Sequence, residues 1–429
     1  MGFVPGKSLV HVSGQVVGQE EADALAELGR DLVTGRATLA AGRRALALER
    51  GLAKRFNVKH ALLVNSGSSA NLLAFQSLNL PPGSRVLTVA CAFPTTVAPI
   101  VQAGCIPVFV DVGPDGNVDP RAFLDVLDRA PTDPRHPNAI RAIVLAHALG
   151  FPFDLDVVRG AACGHPGQEP IPLLADCCDA YGATWHGEQV TKLADVSTMS
   201  MYPAHGISMG QGGCVLTDSD VIAEEVRCLR DWGRRCVCAP GHDNTCGRRF
   251  DQPRENLGSL PAGWDDKYLY RRLGYNFAVS EMQAAIGLVQ IDKLDGFIER
   301  RRATWGFYRE AMIGIAGLDL PNDYLDPAET SPFGFLVTVK PDAPFTRDWI
   351  VRELEKRRIQ TRPLFAGNIL RHPCIDRVSY EVVGGGGRDG MSLPNTDQLM
   401  RNSFWIGVYP GVTDEMREYV VEVLHEAAK

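Results

Sequence analysis

Short β-branched runs that alternate with helical segments constrain the fold of this chain more than any other feature of its sequence. From residue 60 onward, the strand-like run HALLVN is followed by the helical pattern SSANLLAFQSLNL. Further strand-like runs then recur: RVLTVA, IPVFVDV, IRAIVLAHAL, IPLLADC, VSTMSMY and GGCVLTD. Strands that are buried on both faces form such apolar runs, and the helices between them cover the sheet. The pattern predicts an α/β fold with a mostly parallel central sheet.

The chain has 429 residues, which is long enough for two domains. We expect a large domain over 1–295 and a smaller α+β domain over 296–429, with a long helix over SEMQAAIGLVQIDKLDGFIERRRATWGFYREAM as a bridge. The stretch 234–275 breaks the rhythm with 42 residues that are rich in Arg, Gly, Pro and Asp. So long an irregular segment needs something to hold it. The glycine-rich run 384–390 is expected to be a surface loop.

Charge and cysteine content restrict the class of protein. The net charge of -7 with scattered basic residues excludes a nucleic-acid footprint or a polybasic membrane patch. We expect a cytoplasmic protein, because the sequence contains neither a secretory leader nor a membrane-spanning apolar run. In that reducing compartment, thiols are expected to be buried, metal-bound or redox-active rather than paired in disulfides. Seven of the eleven cysteines lie mainly in apolar or helical stretches and predict core thiols: Cys91, Cys105, Cys163, Cys177, Cys214, Cys228 and Cys374.

Two strand ends carry side chains that suit a phosphate and a charged ring. In NSGSSAN, Gly67 permits a tight turn, and Ser68 and Ser69 place amides and hydroxyls at a helix N-terminus, which attracts anions. A serine there can equally cap the helix without any ligand. Asp176 ends a buried strand, where a pyridinium nitrogen or the next turn would satisfy its carboxylate. Phe93 could stack on a ring or belong to the core.

The other four cysteines have a spacing that predicts a metal centre. Cys178, Cys236, Cys238 and Cys246 read C-x57-C-x-C-x7-C, and three of them lie in the irregular stretch. Four thiolates can hold a 2Fe–2S cluster or a structural zinc ion. Zinc sites more often pair cysteines that are separated by two residues, whereas Cys236 and Cys238 are separated by one. The spacing therefore favours iron–sulfur, with zinc as the alternative.

Several segments together resemble the DegT/DnrJ/EryC1/StrS family of sugar aminotransferases: NSGSSANLL, AFPTTVAPIVQAGCIPVFVDV, YPAHGISMGQGG, LGYNFAVSEMQAAIGLVQIDKL, TRPLFAGN and FWIGVYPG. The resemblance covers nearly the whole chain. It implies a fold type I homodimer that binds a vitamin-B6 phosphate, with Asp176 at the pyridine nitrogen and Phe93 against the ring. Asn276 would reach the phosphate in the partner subunit. The same resemblance assigns the phosphate to Ser68, Ser69 and Ser200.

The segment SMYPAHGISMGQGG is similar to the place where the family carries its Schiff-base lysine. Position 205 is histidine here, and no lysine occurs between Lys192 and Lys267. A histidine, with an ordinary pKa of about 6.5, can move protons but cannot anchor the aldehyde cofactor. The resemblance therefore implies pyridoxamine phosphate as the cofactor, His205 as the base at its 4′ carbon, and dehydration instead of transamination. A packed histidine without a catalytic role is the structural alternative.

A histidine at this position is similar to the 3-dehydrases of deoxysugar biosynthesis. Their usual wording is closer to YPAHHITMGEGG, so Gly206 and Gln211 are departures. The cysteine spacing matches one branch, the CDP-6-deoxy-L-threo-D-glycero-4-hexulose 3-dehydrases, which carry a 2Fe–2S cluster beside pyridoxamine phosphate. That match implies loss of the C-3 hydroxyl from a nucleotide-linked 4-keto-6-deoxyhexose. No G-x-G-x-x-G follows a predicted strand, so the electrons are expected from a separate NAD(P)H-dependent flavin and iron–sulfur reductase.

Three other functions remain open at this point. One is a cluster-independent 3-dehydratase of the colitose type, and another is an ordinary aminotransferase with pyridoxal phosphate on a lysine. The third is a non-catalytic, zinc-stapled relative that binds sugar nucleotides. In TRPLFAGN, Arg362 and Asn368 are candidate nucleotide contacts, with a solvated loop as the alternative.

Overall fold

A computed structural model describes residues 2–40, 42–164, 169–236, 238, 244–321, 327–383 and 393–429. The predicted surface loop at 384–390 lies outside these residues. No helix in the described part of the chain is long and apolar enough to cross a membrane.

The described residues form eleven α-helices. Their bounds are α1 Gln19–Val33, α2 Arg43–Arg55, α3 Gly67–Ser77, α4 Pro94–Gln102, α5 Pro120–Arg129, α6 Leu155–Cys163, α7 Asp220–Arg230, α8 Glu281–Ala311, α9 Arg347–Lys356, α10 Pro394–Asn402 and α11 Asp414–Ala427.

They also form fourteen β-strands. Their bounds are β1 His60–Val64, β2 Arg85–Val89, β3 Ile106–Val110, β4 Ile140–Ala146, β5 Leu173–Asp176, β6 Thr184–Trp185, β7 Glu188–Gln189, β8 Val196–Ser200, β9 Gly213–Thr217, β10 Leu318–Asp319, β11 Ala328–Glu329, β12 Gly334–Val339, β13 Glu381–Val382 and β14 Ser403–Gly407.

The central sheet has eight strands in the order β1-β9-β8-β5-β4-β2-β3-β13. Strand β9 runs antiparallel to both of its neighbours, and the remaining pairs are parallel. The predicted α/β class with a mostly parallel sheet is therefore confirmed. The sequence analysis missed β13, a two-residue strand from the C-terminal part of the chain that joins the sheet edge beside β3.

Both faces of the central sheet are buried, as the apolar runs predicted. Successive residues of β1 point to opposite faces. Leu62 belongs to the core beneath α3 and α7, whereas Leu63 belongs to the larger core that α2 and α8 cover. The carboxyl ends of β5 and β8 open between these layers, and they carry Asp176 and Ser200.

A second core lies around the three-stranded sheet β10-β12-β14, between the C-terminal half of α8 and the helices α9 and α11. Val10, near the N-terminus, belongs to this second core and pairs with Ile359. Helix α8 is continuous from Glu281 to Ala311. The domain boundary between 295 and 296 falls inside it and stays a prediction.

Candidate active site

The turn between β1 and α3 forms a site for an anion. Helix α3 begins at Gly67, where a Cβ atom would lie 2.5 Å from the Cβ of Ser200, so only glycine fits between the helix and β8. The side chain of Ser66 caps the helix by accepting the Ser69 amide at 3.1 Å. The amides of Gly67 and Ser68 have no acceptor among the described residues. These donors and the helix dipole together favour a phosphate.

The three serines that were predicted to hold the phosphate differ in their surroundings. Ser68 is exposed, whereas Ser69 is buried and its hydroxyl donates to Asn65 Oδ1 at 2.7 Å. Ser200 is buried at the end of β8, and its Oγ accepts the Tyr202 amide at 3.4 Å. Ser66 is therefore the N-cap of α3, a role that was not predicted from the sequence.

Asp176 lies at the end of β5 and its carboxylate accepts three hydrogen bonds. Asn71 and Thr96 donate to Oδ2 at 2.8 and 2.7 Å. The Cys178 amide donates to Oδ1 at 3.1 Å. The side chain is 6% exposed. The turn alternative is therefore met by one oxygen, and the role of Asp176 toward a pyridine nitrogen stays a prediction.

Phe93 and Asn276 lie at the surface of the same region. Phe93 precedes α4 and is 55% exposed, so a ring face is free to stack. Asn276 is exposed on a segment whose next residue, Phe277, accepts the Asn65 amide at 2.8 Å. This contact places Asn276 near the anion turn of its own chain, and its role toward a partner subunit stays a prediction.

His205 follows β8 in a loop that is held from several sides. Its Nδ1 lies 3.4 Å from Oδ1 of Asp179, with the two side chains 18% and 8% exposed. Its ring stacks on Phe333 with the centroids 5.3 Å apart. The buried Arg301 donates to the His205 carbonyl at 3.1 Å. The imidazole is therefore accessible but fixed beside a carboxylate, an arrangement that suits proton transfer.

Burial dominates the ionisation of the groups behind His205. It raises the pKa of Asp179, while the contact with His205 works in the opposite direction. Burial also lowers the pKa of Arg301 to about 10, and the charge of Asp179 opposes this shift. Arg301 remains a cation at neutral pH and favours the ionised form of Asp179.

Three of the four predicted metal ligands come together. Cys236, Cys238 and Cys246 line one small cavity with Arg249 and Lys267. Hydrogen bonds lower the pKa of the Cys238 thiol to about 7, first from Thr245 and then from the amide of Cys246. A thiolate at neutral pH is the ligand form that metals require.

Cys178 is partly buried and is not among the residues that line this cavity. Burial, with the charges of Asp176 and Asp179, raises the pKa of its thiol well above the usual range. Within the part of the chain that the structure describes, no three His, Cys, Asp or Glu side chains meet the geometry of a bound metal ion. Three of the four thiols thus line one cavity, and the role of all four cysteines as metal ligands stays a prediction.

The candidate nucleotide contacts have different surroundings. Asn368 is buried, and its amide donates to Asp397 at 2.8 Å, so it has a structural partner already. Arg362 is exposed and pairs with Trp405 through the backbone. The Arg362 guanidinium also donates to the Thr361 carbonyl at 2.7 Å, and a nucleotide contact by either residue stays a prediction.

The residues that contact the side chains of Asp176 and His205 were not predicted from the sequence. Asn71 and Thr96 come from α3 and α4, and their distance in sequence from Asp176 concealed the contact. Asp179 follows Asp176 by three residues in DCCD, which was a signal for a second carboxylate beside the site. Its contact with His205 required the fold.

The fold and this crevice define a class of protein. A mostly parallel sheet binds ligands beyond the carboxyl ends of its strands, here with an anion turn at one helix N-terminus and a carboxylate behind it. The chain belongs to the DegT/DnrJ/EryC1/StrS aminotransferase family, whose model matches residues 19–425. The predicted family is therefore confirmed.

Relatives in this family include sugar 3-dehydratases. The chain is 42% identical to the lipopolysaccharide biosynthesis protein RfbH of Salmonella typhimurium, over 99% of this chain and 93% of that protein. It is 43% identical to a dTDP-4-dehydro-2,6-dideoxy-D-glucose 3-dehydratase of Saccharopolyspora spinosa, over 99% and 87% of the two chains. A solved GDP-4-keto-6-deoxymannose-3-dehydratase variant with bound GDP-perosamine superposes with a TM-score of 0.81 at 25% identity, over 97% of this chain and 100% of that one. Solved structures of related dehydratases and aminotransferases share the predicted fold.

Proposed function

We propose that this chain is a pyridoxamine phosphate-dependent dehydrase that removes the C-3 hydroxyl of a nucleotide-linked 4-keto-6-deoxyhexose. One observation carries the proposal: His205, in the segment that resembles the family's lysine site, is partly buried with its Nδ1 3.4 Å from a carboxylate oxygen. The similarity to proteins named 3-dehydratases over nearly the whole chain supports it.

The crevice has groups that fit the cofactor. When bound, pyridoxamine phosphate supplies an amine that condenses with a ketone and a ring that accepts electrons. The free amides of Gly67 and Ser68, with Ser200 behind them, would hold the phosphate. Asp176 would keep the ring nitrogen protonated, because its carboxylate is already fixed by Asn71 and Thr96.

His205 would take the proton from the 4′ carbon of the cofactor. An imidazole can both accept and return a proton, which is the chemistry that this role requires. The stacking of the ring on Phe333 excludes water from one face and limits rotation. With no lysine between Lys192 and Lys267, this segment offers no amine for covalent attachment of the aldehyde form.

Replacing a C–OH bond by a C–H bond releases water and consumes two electrons and two protons. A 2Fe–2S cluster supplies electrons singly, and we assign its ligands to Cys178, Cys236, Cys238 and Cys246. The shared cavity of three of these thiols supports the assignment. We further propose an NAD(P)H-dependent flavin and iron–sulfur reductase as electron donor, and a cytoplasmic homodimer in which Asn276 contacts the partner's cofactor.

The direct test is an anaerobic assay with pyridoxamine phosphate, a reductase and a panel of CDP-, dTDP- and GDP-linked 4-keto-6-deoxyhexoses. We expect one substrate to yield a product lighter by one oxygen atom, as measured by mass spectrometry. His205→Asn should lose on the order of 10³-fold in kcat while it retains the cofactor, as expected for loss of a general base. An amino-sugar product from the wild type would instead identify an aminotransferase.

A second candidate is a cluster-independent 3-dehydratase, in which water resolves the dehydrated adduct. It is favoured by the high structural similarity to GDP-4-keto-6-deoxymannose-3-dehydratase and by the absence of Cys178 from the lining of the three-cysteine cavity. Iron and acid-labile sulfide analysis of anaerobically purified protein separates the two. Two irons per chain support the cluster enzyme, and turnover without iron supports the alternative.

A further inference from the structure

Asp179 and His205 form a largely buried pair, and one polar contact between their side chains bears on which imidazole nitrogen carries the proton. Oδ1 of Asp179 is 3.4 Å from Nδ1 of His205. Apart from this contact, neither the Nδ1 atom nor the other carboxylate oxygen, Oδ2, has a hydrogen-bond partner in the described part of the chain. Oδ1 of Asp179 is thus the acceptor that this contact offers to a proton on Nδ1.

The buried Arg301 contacts the His205 loop through hydrogen bonds and interacts with Asp179 through its charge. Its guanidinium donates to the backbone carbonyls of His205 and Ala204, at 3.1 and 3.5 Å. The side chain is fully buried behind the loop, and its charge attracts Asp179. The loop therefore cannot swing His205 away from Asp179 without breaking these contacts.

The two nitrogens of a neutral imidazole have different roles, and the hydrogen bond at one determines which nitrogen can act as the base. A lysine needs no such control, since its amine is symmetric about its terminal bond. A histidine in the lysine position does need it. We propose that Asp179 is a positioning residue that keeps the proton on Nδ1 of His205 and leaves the lone pair of Nε2 free. This inference rests on the proposed function of His205 as a base.

The test compares Asp179→Asn with the wild type in two ways. An asparagine can donate its amide to Nδ1 and so stabilises the tautomer that is protonated on Nε2. In the oxidised enzyme labelled with ¹⁵N-histidine, the His205 signals, assigned by their loss in His205→Asn, should show a proton on Nδ1. We expect Asp179→Asn to move that proton to Nε2.

The second readout is exchange of the 4′ hydrogen of bound pyridoxamine phosphate with deuterated water in the presence of the 4-keto sugar nucleotide, because condensation of the amine with the ketone is what makes this hydrogen acidic. We expect Asp179→Asn to slow it by about 100-fold or more, since a wrong tautomer disables the base. Cofactor and iron content should be unchanged, and KM for the sugar should move less than kcat. The matched control is Asp156→Asn, which removes a carboxylate 2.9 Å from the exposed His186 and should leave exchange unchanged.

Each outcome bears on a different claim. A wild-type proton on Nε2, or exchange in Asp179→Asn at the wild-type rate, would overturn the positioning role. The wild-type spectrum decides this even if the variant fails to fold. Absence of exchange in the wild type would overturn the proposed function instead, and the nitrogen signals would still test the pair.

Discussion

The cofactor crevice and the cysteine-bearing stretch 234–275 lie in one chain but are held by different means. In the crevice, Asp176 and His205 follow strands of the central sheet, and buried partners fix both side chains. The described part of 234–275 has no α-helix or β-strand, and its order depends on contacts such as the Arg249–Asp265 ion pair at 2.7 Å. Leu257 and Leu269 are buried there, which is little apolar anchorage for its length.

This difference indicates how each region acquires its function. Strand ends preassemble a polar site because the sheet places them whether or not a ligand is bound. A long loop with few apolar anchors gains its order from what it binds. We therefore expect the crevice to tolerate loss of the metal, and the cysteine-bearing stretch to depend on it.

The largest expected effect comes from Cys238→Ser. Removal of one thiolate should abolish the two irons per chain and the reductive activity, while bound pyridoxamine phosphate and its 4′ exchange persist. Trypsin should then cut near the exposed Arg248 about 10-fold faster or more, because local opening controls proteolysis. Iron analysis and mass mapping of the fragments measure both effects.

The matched control for this experiment is Cys163→Ser. The sequence predicted core thiols at Cys163 and Cys374, but both are exposed, so this prediction was wrong for these two. Cys163 lies at the end of α6, and its substitution should leave the protein like the wild type. Cys178→Ser sharpens the comparison, because it should also lose iron although it lies beside the crevice. Retention of both irons in Cys178→Ser would contradict its role as the fourth ligand. Loss of the cofactor along with iron in Cys238→Ser would contradict the independence of the two regions.

A smaller effect is expected from Gly206→His, which introduces the residue that the resemblance to 3-dehydrases implies at this position. A Cβ atom at position 206 would overlap the ring of Tyr181, whose hydroxyl donates to the Ser200 carbonyl at 2.6 Å. Because the crevice is tightly packed, the added side chain should lower the unfolding free energy of the protein by about 1–3 kcal/mol. Urea denaturation measures this change.

A double-mutant cycle with Tyr181→Leu tests the cause. The leucine should recover part of the loss, with a coupling of about 1 kcal/mol or more. Gly160→Ala in α6, where an added Cβ would touch nothing, is the control and should be neutral or stabilising. Additive effects of the two crevice substitutions would show that Tyr181 is not the obstacle.

The smallest effect concerns the support of the His205 loop. Gln290 accepts the Ser208 amide at 3.0 Å and donates to Glu21 at 2.7 Å. Burial tends to raise the pKa of Glu21, but hydrogen bonds from Lys293, the Gly18 amide and Gln290 hold it at about 2. Since this folded-state pKa is below the ordinary value, the carboxylate stabilises the fold above about pH 4.5, and the contribution is lost as the pH falls toward 2.

Glu21→Gln should therefore lower the unfolding free energy by about 1–2 kcal/mol at pH 7. The difference from the wild type should shrink as the pH falls below 4.5. Glu20→Gln is the control, because Glu20 contacts the same Lys293 with its side chain 66% exposed and should change stability little. A pH-independent deficit in Glu21→Gln would assign the effect to packing and not to charge.

Much of the fold could be predicted because local pattern and final burial agree. The runs that became β1 to β5, β8 and β9 are mainly apolar and are buried almost throughout, as expected of strands with two covered faces. Strand β13 could not be predicted, since two residues carry no period and pair with β3 only through the fold. The short strands β6, β7 and β11 could not be predicted for the same reason.

In the candidate site, the side chains at strand ends could be selected from the sequence, but the residues that hydrogen-bond to them could not. Asp176 was recognisable from its place after an apolar run, whereas Asn71 and Thr96 look like ordinary helix residues in the sequence. The spacing of Cys236, Cys238 and Cys246 predicted a group that does line one cavity. A sequence does not fix the distance from Cys178 to that group, because 57 residues separate it from Cys236.

The account depends most on the claim that position 205 has lost the covalent role of lysine. The direct measurement is borohydride reduction of the protein saturated with pyridoxal phosphate, followed by peptide mass analysis, with His205→Lys treated in parallel. The account predicts that no wild-type lysine carries the cofactor, whereas the variant carries it within residues 200–213. A pyridoxyl group on any single lysine of the wild type, at a stoichiometry near one, would contradict it.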